Sequence, residues 1–132
     1  MKSISIKTGA RTEFVDITLK IEETIRKNRW LNGILCIYVP HTTAAITINE
    51  NADPSVQSDI LEQLNKIVPF NGAYRHTEGN SAAHIKASLI GTSVSVIVEN
   101  NKLALGRWQG IFFCEFDGPR NRELYLYFAG SD

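Results

Sequence analysis

The sequence predicts an α+β domain in which an antiparallel or mixed β-sheet carries two or three helices on one side. Residues 3–7 alternate polar and apolar side chains as a half-buried strand does, and residues 33–39 form the nearly continuous apolar run of a central strand. Asp53 and Pro54 suit the start of a helix and precede an apolar pattern with helical spacing. We expect one domain over residues 1–132, long enough to bury a core without disulfides or a structural metal.

The N-terminal half is predicted to contain four strands and one helix. The strands are expected over residues 3–7, 14–17, 33–39 and 44–49, and the helix over residues 18–29. The apolar side of this helix is expected to comprise Leu19, Ile21, Ile25 and Trp30. The strand over 44–49 is expected to pair with the strand over 33–39.

The C-terminal half is predicted to contain two helices followed by three strands. The first helix starts at the Asp-Pro pair and ends before Pro69. Residues 70–80 are predicted to be a loop, and Ser81 is expected to cap a short helix that runs through Leu89 and stops at Gly91. The strands are expected over residues 93–99, 110–116 and 123–128, with turns between them.

The charge balance argues against one broad class of partner. Fourteen basic and fourteen acidic residues give a formal net charge of zero, whereas nonspecific nucleic-acid binding needs a basic face that displaces counterions. No apolar stretch reaches the roughly 18 residues of a membrane span, and residues 1–7 lack the apolar core of a signal peptide. We therefore expect a soluble, cytoplasmic protein without nucleic-acid or membrane partners. Cys36 and Cys114 lie in apolar runs and are expected to be free thiols.

All three histidines lie in two short polar clusters, and the apolar runs contain none. Imidazole is the side chain best suited to proton transfer near neutral pH and the commonest metal ligand, so the clusters indicate a site. His41 stands between two predicted strands, and the second strand leads to Asn49 and Glu50 at its far end. The carboxylate of Asp53 is expected either to cap the following helix or to join this site.

The second cluster places His76, Glu78, Asn80 and His84 on a loop that enters a helix. Free backbone N–H groups and the helix dipole at such a position favour an anion such as phosphate. Two imidazoles and a carboxylate also suit a divalent metal, although the spacing is not that of a zinc finger. The alternative for any one histidine is that it packs or caps. We predict that His41 and His84 converge in one pocket.

The third cluster is Gly106-Arg107-Trp108-Gln109-Gly110. Tryptophan can stack on a heteroaromatic ring, glutamine can hydrogen-bond its edge, and arginine can pair with phosphate. The alternative is a β-bulge whose Trp108 fills the core. Glu115 follows on the same strand and is expected to face the site, whereas Arg120 and Arg122 are expected either to be solvated in a turn or to contact a phosphate.

Several ordered motifs resemble the YjbQ-type family, whose members are described as secondary thiamine-phosphate synthase enzymes. The matching stretches are His41-Thr42-Thr43-Ala44, Asn49-Glu50-Asn51-Ala52-Asp53-Pro54, residues 76–88, Leu89-Ile90-Gly91-Thr92-Ser93 and Gly106-x-Trp108-Gln109-Gly110-Ile111. They span most of residues 35–128, and the N-terminal third matches in pattern only. One departure is visible, because Arg107 stands where the family usually has Thr.

The resemblance implies a compact α+β fold assembled as a homotrimer, with polar pockets between subunits. It also implies coupling of a pyrimidine-methyl diphosphate to a thiazole phosphate, which gives thiamine phosphate and pyrophosphate. Departure of a diphosphate is helped by a metal ion, by cationic side chains and by helix N-termini. No serine or cysteine has an obvious base in a motif, so assisted transfer fits better than covalent catalysis.

We therefore expect three groups of residues to act on a small phosphorylated substrate. The expected catalytic residues are His41, Glu78, His84 and Glu115. The expected ligands of a divalent ion, Mg²⁺ or Zn²⁺, are His41, His84 and Glu78. The expected substrate-binding residues are Thr42, Asn49, Glu50, His76, Asn80, Lys86, Trp108 and Gln109. The alternatives are a metal-dependent hydrolase that uses the same residues, and a non-catalytic trimer that binds a metal or an anion.

Overall fold

The computed structural model describes residues 1–131 and confirms the α+β class. Within these residues the strands are β1 (Lys2–Lys7), β2 (Glu13–Asp16), β3 (Gly33–Tyr38), β4 (Ala44–Glu50), β5 (Ser93–Glu99), β6 (Lys102–Leu103), β7 (Gln109–Glu115) and β8 (Asn121–Gly130). The helices are α1 (Thr18–Lys27), α2 (Pro54–Ile67) and α3 (Ser81–Ile90). No helix in the described part of the chain is both long enough and apolar enough to cross a membrane.

The strands form two antiparallel sheets. The larger sheet has the order β1-β8-β3-β5-β6, and the smaller sheet has the order β2-β7-β4. The predicted central position of β3 is confirmed, but the predicted pairing of β3 with β4 is wrong, because β4 pairs with β7. Residues 39–43 carry the chain from one sheet to the other, and Pro40 among them has no N–H to extend a strand ladder.

The smaller sheet is buried on both faces. Ile111 and Phe113 of β7 belong to the core between the two sheets, whereas Phe112 and Cys114 belong to the core that α2 and α3 cover. A strand that alternates between two apolar environments has no solvent side, which explains the continuous apolar run in β7. Helices α2 and α3 therefore cover the outer face of the smaller sheet, next to the crossover at residues 39–43.

Helix α1 closes the space between the sheets through residues spaced four apart. Ile17, Ile21 and Ile25 are fully buried, as helical periodicity predicts. Leu19 is 73% exposed, so its prediction as part of the apolar side is wrong. At about 100° per residue, a position two residues beyond Ile17 points away from the core.

The local signals at the other helices are largely confirmed. Asp53 is the N-cap of α2, and its Oδ1 accepts a hydrogen bond from the Ser55 N–H at 2.9 Å. Helix α3 ends at Gly91, which has a φ of +100°. The expectation that Ser81 caps α3 is wrong, because Ser81 is the first helical residue and Asn80 occupies the N-cap position.

Two smaller features complete the fold. The two-residue strand β6 is too short to leave a pattern in the sequence, and it pairs with β5 through a turn whose residues Asn100 and Asn101 both have positive φ. Cys36 and Cys114 are free thiols, as expected, with Cys114 buried and Cys36 partly exposed.

Candidate functional site

Two adjoining cavities meet at the crossover between the sheets. Their volumes are about 530 and 470 Å³, and both are lined by Pro40, His41, Thr42 and His84. The second is also lined by Thr43, His76, Glu78, Asn80, Arg120 and Arg122. We call the combined space the histidine cleft. Each cavity volume lies in the range of small-molecule sites, roughly 300–1,000 Å³. Because His41 and His84 line both cavities, their predicted convergence is confirmed.

Four separate segments bring these side chains together. His41 lies in the crossover after β3, and Arg122 lies near the start of β8 in the larger sheet. His84 lies one turn into α3, and His76 and Glu78 precede that helix in its entry loop. The cleft therefore forms where the larger sheet, the crossover and the N-terminal end of α3 meet.

The hydrogen bond of His41 determines which of its ring nitrogens is free. Its Nε2 accepts a hydrogen bond from the Glu123 backbone N–H at 2.9 Å, which requires Nε2 to be unprotonated. Burial and the nearby Arg122 charge lower the pKa of His41, against smaller opposing contributions that include the Glu115 charge. Near neutral pH His41 is therefore uncharged with its proton on Nδ1, so its remaining polar group is an N–H donor.

His76 and His84 form a pair on the helix side of the cleft. Their ring centroids lie 5.4 Å apart with an interplanar angle of 88°, an edge-to-face arrangement. His76 Nε2 lies 3.9 Å from Glu78 Oε2, and both side chains are largely exposed. This side of the cleft is therefore open to solvent.

Arg122 also lines the cleft, and its side chain belongs to a buried ion-pair network. Its side chain is only 4% exposed, so the expectation of a solvated turn residue is wrong. Its Nε–H donates to Glu115 Oε1 at 2.8 Å, and Nη2 donates to Glu115 Oε2 and to Thr43 Oγ1, the latter at 2.9 Å. Nη1 has no hydrogen-bond partner within residues 1–131, which leaves this end of the guanidinium for a ligand.

Glu115 lies beneath the cleft and does not line it. Both of its oxygens are occupied, because it also accepts hydrogen bonds from Thr8 Oγ1 at 2.7 Å and from the Asp117 N–H at 3.1 Å. Burial acts to raise the pKa of Glu115, but the hydrogen bonds from Arg122, Thr8 and Asp117 and the Arg122 charge outweigh it and lower the pKa. The lowered pKa keeps Glu115 ionised at neutral pH, where it pairs with Arg122. The expectation that Glu115 faces the site is therefore wrong.

Arg120 and Asn80 share a single carboxylate at the rim. Arg120 donates from Nη2 to Asp117 Oδ2 at 2.9 Å, and Asn80 donates from Nδ2 to the same oxygen at 2.9 Å. Asn80 Oδ1 is buried and has no partner among the described residues. Asp117 therefore links the N-terminus of α3 to the turn before β8.

The third predicted cluster lies at the far end of the smaller sheet. In the β4–β7 ladder Ala44 pairs with Glu115 and Glu50 pairs with Gln109, so the ladder separates the two ends by about 20 Å. A single chain thus does not bring Asn49, Glu50, Trp108 or Gln109 to the histidine cleft.

The segment from Gly106 to Gly110, which we call the tryptophan turn, has its own local structure. Gly106 donates its N–H to Gln109 Oε1 at 2.8 Å, and Asn51 donates its N–H to the Trp108 carbonyl at 3.0 Å. Trp108 is 55% exposed beneath the Arg107 guanidinium, which lies 5.0 Å from the ring centroid. The alternative in which Trp108 fills the core is therefore wrong. A cavity of about 870 Å³ adjoins the turn.

Lys86 does not reach the cleft, contrary to its expected role in phosphate binding. It is fully buried, donates from Nζ to Asn65 Oδ1 at 2.6 Å and lies 4.2 Å from the centroid of the Phe70 ring. Burial and the nearby charge of Arg11 lower its pKa. Lys86 thus links α3 to Asn65 near the end of α2 and to Phe70 in the loop that follows α2.

The predicted metal ligands do not fit a metal ion in a single chain. Within residues 1–131 no three His, Cys, Asp or Glu side chains are close enough together to hold an ion. His41 Nε2 is already engaged by a backbone N–H, and its Nδ1 carries the proton. His41, His84 and Glu78 thus line the cleft without forming a metal site in this conformation.

Two residues next to the cleft were not predicted as such: Thr8 was not singled out at all, and Arg122 was expected either to be solvated or to contact a phosphate. Arg122 alternates with the buried Leu124 and Leu126 on β8, so the period of two was a signal that its side chain faces inward. Thr8 follows a strand at the other end of the chain and carried no such signal.

Comparison with known proteins identifies the family. The model of the family described as UPF0047 protein YjbQ-like matches residues 2–131. A UPF0047 protein of Methanocaldococcus jannaschii is 56% identical over 126 residues, covering 96% of this chain and 91% of its own. The UPF0047 protein YugU of Bacillus subtilis is 50% identical over 131 residues, covering 98% of this chain and 99% of its own.

Solved structures agree with this family match. A Clostridium acetobutylicum protein described as an uncharacterized conserved member of the YjbQ/UPF0047 family superposes with a TM-score of 0.95 at 50% identity, covering 98% of this chain and all of that one. A hypothetical protein of Aeropyrum pernix superposes with a TM-score of 0.93 at 39% identity, covering 98% of each chain. The chain therefore belongs to the YjbQ-like UPF0047 family.

Proposed function

We propose that the histidine cleft binds the phosphate groups of a small molecule and that the protein is an enzyme acting on that molecule. The proposal rests on the burial and hydrogen bonding of Arg122. Its guanidinium is buried and held by Glu115 and Thr43, Nη1 has no hydrogen-bond partner among residues 1–131, and Arg122 is one of the residues that line the second cavity. An arginine fixed in this way presents a permanent charge without reorganising when the ligand binds.

The other cleft donors support the same ligand class. His41 presents its Nδ1–H, and Arg120 lies at the rim. Asn80, the N-cap residue of α3, also lines the cleft, so the positive end of the helix dipole lies beside it. Phosphate oxygens can accept hydrogen bonds from the donors of His41 and Arg120 and interact favourably with the helix dipole.

The reaction we propose is the one that the family resemblance implies. The C–O bond of a pyrimidine-methyl diphosphate breaks, the thiazole nitrogen bonds to the same carbon, and pyrophosphate leaves. Arg122 and His41 would hydrogen-bond the oxygens on which negative charge develops, which lowers the barrier to departure. His84 and His76 lie together on the solvent-open side of the same cleft.

We also propose that the chain assembles as a homotrimer, as the resemblance implies. The outer face of the larger sheet supports self-association, because Ile34, Tyr38, Ile97 and Tyr127 are large apolar residues that are exposed on it. Sedimentation equilibrium of the purified protein tests this directly. A mass near 14.8 kDa, that of one chain, would contradict the proposal.

The direct test of the reaction is turnover of purified protein with the pyrimidine diphosphate and the thiazole phosphate. We expect thiamine phosphate from the unchanged protein and its loss in His41→Ala and His84→Ala, with the fold of His84→Ala intact. Arg107→Thr, in the tryptophan turn, is the control and should retain activity. Parallel assays with Mg²⁺ and with a chelator test whether a divalent ion takes part.

The other outcomes separate the alternatives. Release of inorganic phosphate without a new C–N bond would indicate a hydrolase that uses the same cleft. Saturable binding of pyrophosphate without turnover would indicate a non-catalytic anion-binding protein. Global unfolding of His84→Ala would indicate that this residue serves packing.

A further inference from the structure

Thr8 lies at the end of β1, buried and outside the cleft. Its hydroxyl donates a hydrogen bond to Glu115 Oε1 at 2.7 Å and accepts one from the Arg120 backbone N–H at 2.9 Å. Its own backbone N–H donates to the Arg120 carbonyl at 2.9 Å. One hydroxyl thus joins the carboxylate that holds Arg122 to the backbone that carries Arg120.

The first connection runs from Thr8 to the cleft wall through charged groups. Glu115 bonds Arg122, and Arg122 bonds both the hydroxyl and the carbonyl of Thr43. Thr43 lies two residues after His41 in the crossover. The hydrogen bonds therefore form an unbroken chain from the first strand to the segment that positions His41.

The second connection runs through the turn before β8. Thr8 bonds both the N–H and the carbonyl of Arg120, and a Cβ added at Gly118 would lie 3.0 Å from Thr8 Oγ1. The turn therefore closes directly over the hydroxyl. Arg120 Nη2 in turn donates to Asp117, which also accepts a hydrogen bond from Asn80 at the start of α3.

We infer that Thr8 is a positioning residue for both arginines of the histidine cleft, acting through Glu115 on Arg122 and through the backbone on Arg120. For its effect on ligand binding, the inference rests on the proposed phosphate-binding function. Only a hydroxyl side chain supplies the donor and the acceptor at once in this space, so serine can replace threonine here and valine cannot.

The experiment compares Thr8→Val, which keeps the shape, with Thr8→Ser, which keeps the hydroxyl. Thr24→Val is the matched control, because its hydroxyl donates to the Lys20 carbonyl within α1, away from the cleft. Two quantities are measured on the full chain. Calorimetric titration with sodium pyrophosphate gives the dissociation constant, and the NMR signal of the Arg122 Nε–H gives its solvent-exchange rate without any ligand.

We expect Thr8→Val to weaken pyrophosphate binding and to speed Arg122 Nε–H exchange, each about tenfold, because a buried acceptor and a buried donor lose their partner. Thr8→Ser and Thr24→Val should stay within about twofold of the unchanged protein. If Thr8→Val does not fold, Thr8→Cys replaces it, since a thiol is a weak donor and acceptor of similar size.

The two proposals fail in different ways. Unchanged binding and unchanged Arg122 exchange in Thr8→Val would overturn the inference while the phosphate site stands. Equal losses in Thr8→Val and Thr8→Ser would also overturn it, because the hydroxyl would then not be the cause. Absence of pyrophosphate binding in the unchanged protein would overturn the phosphate site, and the exchange rate alone would then decide the role of Thr8.

Discussion

The two ends of the β4–β7 ladder carry the two most conspicuous polar motifs of the chain, and they are built differently. At the cleft end, Glu115 and Arg122 are buried, and each makes several hydrogen bonds. At the far end, Arg107 and Trp108 are exposed, and the Arg107 guanidinium lies 5.0 Å from the centroid of the Trp108 ring. The turn that carries them is closed by the hydrogen bond from the Gly106 N–H to Gln109 Oε1. A buried ion pair therefore holds the side chains at the cleft end, whereas a hydrogen-bonded backbone turn determines the structure of the far end.

This difference determines which end of the ladder is better suited to stabilising negative charge on a phosphate. A buried, ion-paired arginine keeps one geometry and acts in a medium of low dielectric constant, where its hydrogen bonds to phosphate are strong. An exposed arginine is mobile and screened by water and salt. The cleft end is therefore suited to stabilising a leaving diphosphate, and the tryptophan turn is not.

The largest difference in stability between the two ends is expected for Glu115→Gln. The substitution leaves Arg122 buried without its anion, so we expect the free energy of unfolding to fall by about 3–5 kcal/mol. Glu50→Gln is the matched control at the far end of the same ladder, where Glu50 makes no ion pair within residues 1–131, and we expect a change of about 0.5 kcal/mol or less. Urea denaturation at pH 7 measures both, and equal losses would contradict the contrast.

The same ion pair predicts a pH dependence of stability. The pKa of Glu115 is lowered in the folded protein from its usual value of 4.5, so its stabilising contribution is complete above that unfolded value. The contribution is lost as the pH falls through the folded pKa. The stability difference between the unchanged protein and Glu115→Gln should be constant from pH 7 to about pH 5 and shrink below it. A difference that persists undiminished at pH 2 would contradict the assignment.

At the far end of the ladder, the Gly110 backbone lies close to the Asn51 side chain, and a substitution there is expected to lower stability by a smaller amount. A Cβ at Gly110 would lie 2.5 Å from Asn51 Nδ2, so Gly110→Ala must displace the Asn51 side chain. We expect a loss of about 1–3 kcal/mol in unfolding free energy. Gly9→Ala is the control, because its nearest neighbour would be Glu13 Oε2 at 3.8 Å, an ordinary contact. Thermal unfolding of both variants measures the difference, and equal melting temperatures would contradict the close packing.

The smallest effect is expected at Arg107. Arg107→Thr removes one exposed cation above an exposed indole, so the unfolding free energy should change by about 0.5–1 kcal/mol or less. Pyrophosphate affinity should stay within about twofold, since the residue lies at the opposite end of the ladder from Arg122. Calorimetry measures the affinity, and a tenfold loss would move the phosphate site to the tryptophan turn.

The sequence predicted what depends on local patterns. Periodicity and capping predicted the α+β class, the Asp53 cap and most strands, and the polar clusters predicted that His41 and His84 converge. The pairing of β4 was mispredicted because nothing local shows that the chain changes sheets at Pro40. Glu115 and Lys86 were expected to face a ligand, but their partners Thr8 and Asn65 come from distant segments. The hydrogen-bond partners of a buried charged side chain depend on the tertiary fold, and the spacing of residues along the sequence does not predict them.

The most direct test of the phosphate-binding cleft is an NMR titration with sodium pyrophosphate, followed at both ends of the β4–β7 ladder. We predict saturable shifts in the Arg122 Nε–H and in the ring protons of His41 and His84. We also predict no change in the backbone amides of Gly106 and Gly110. Shifts confined to the tryptophan turn, with the cleft signals unchanged, would contradict phosphate binding in the histidine cleft.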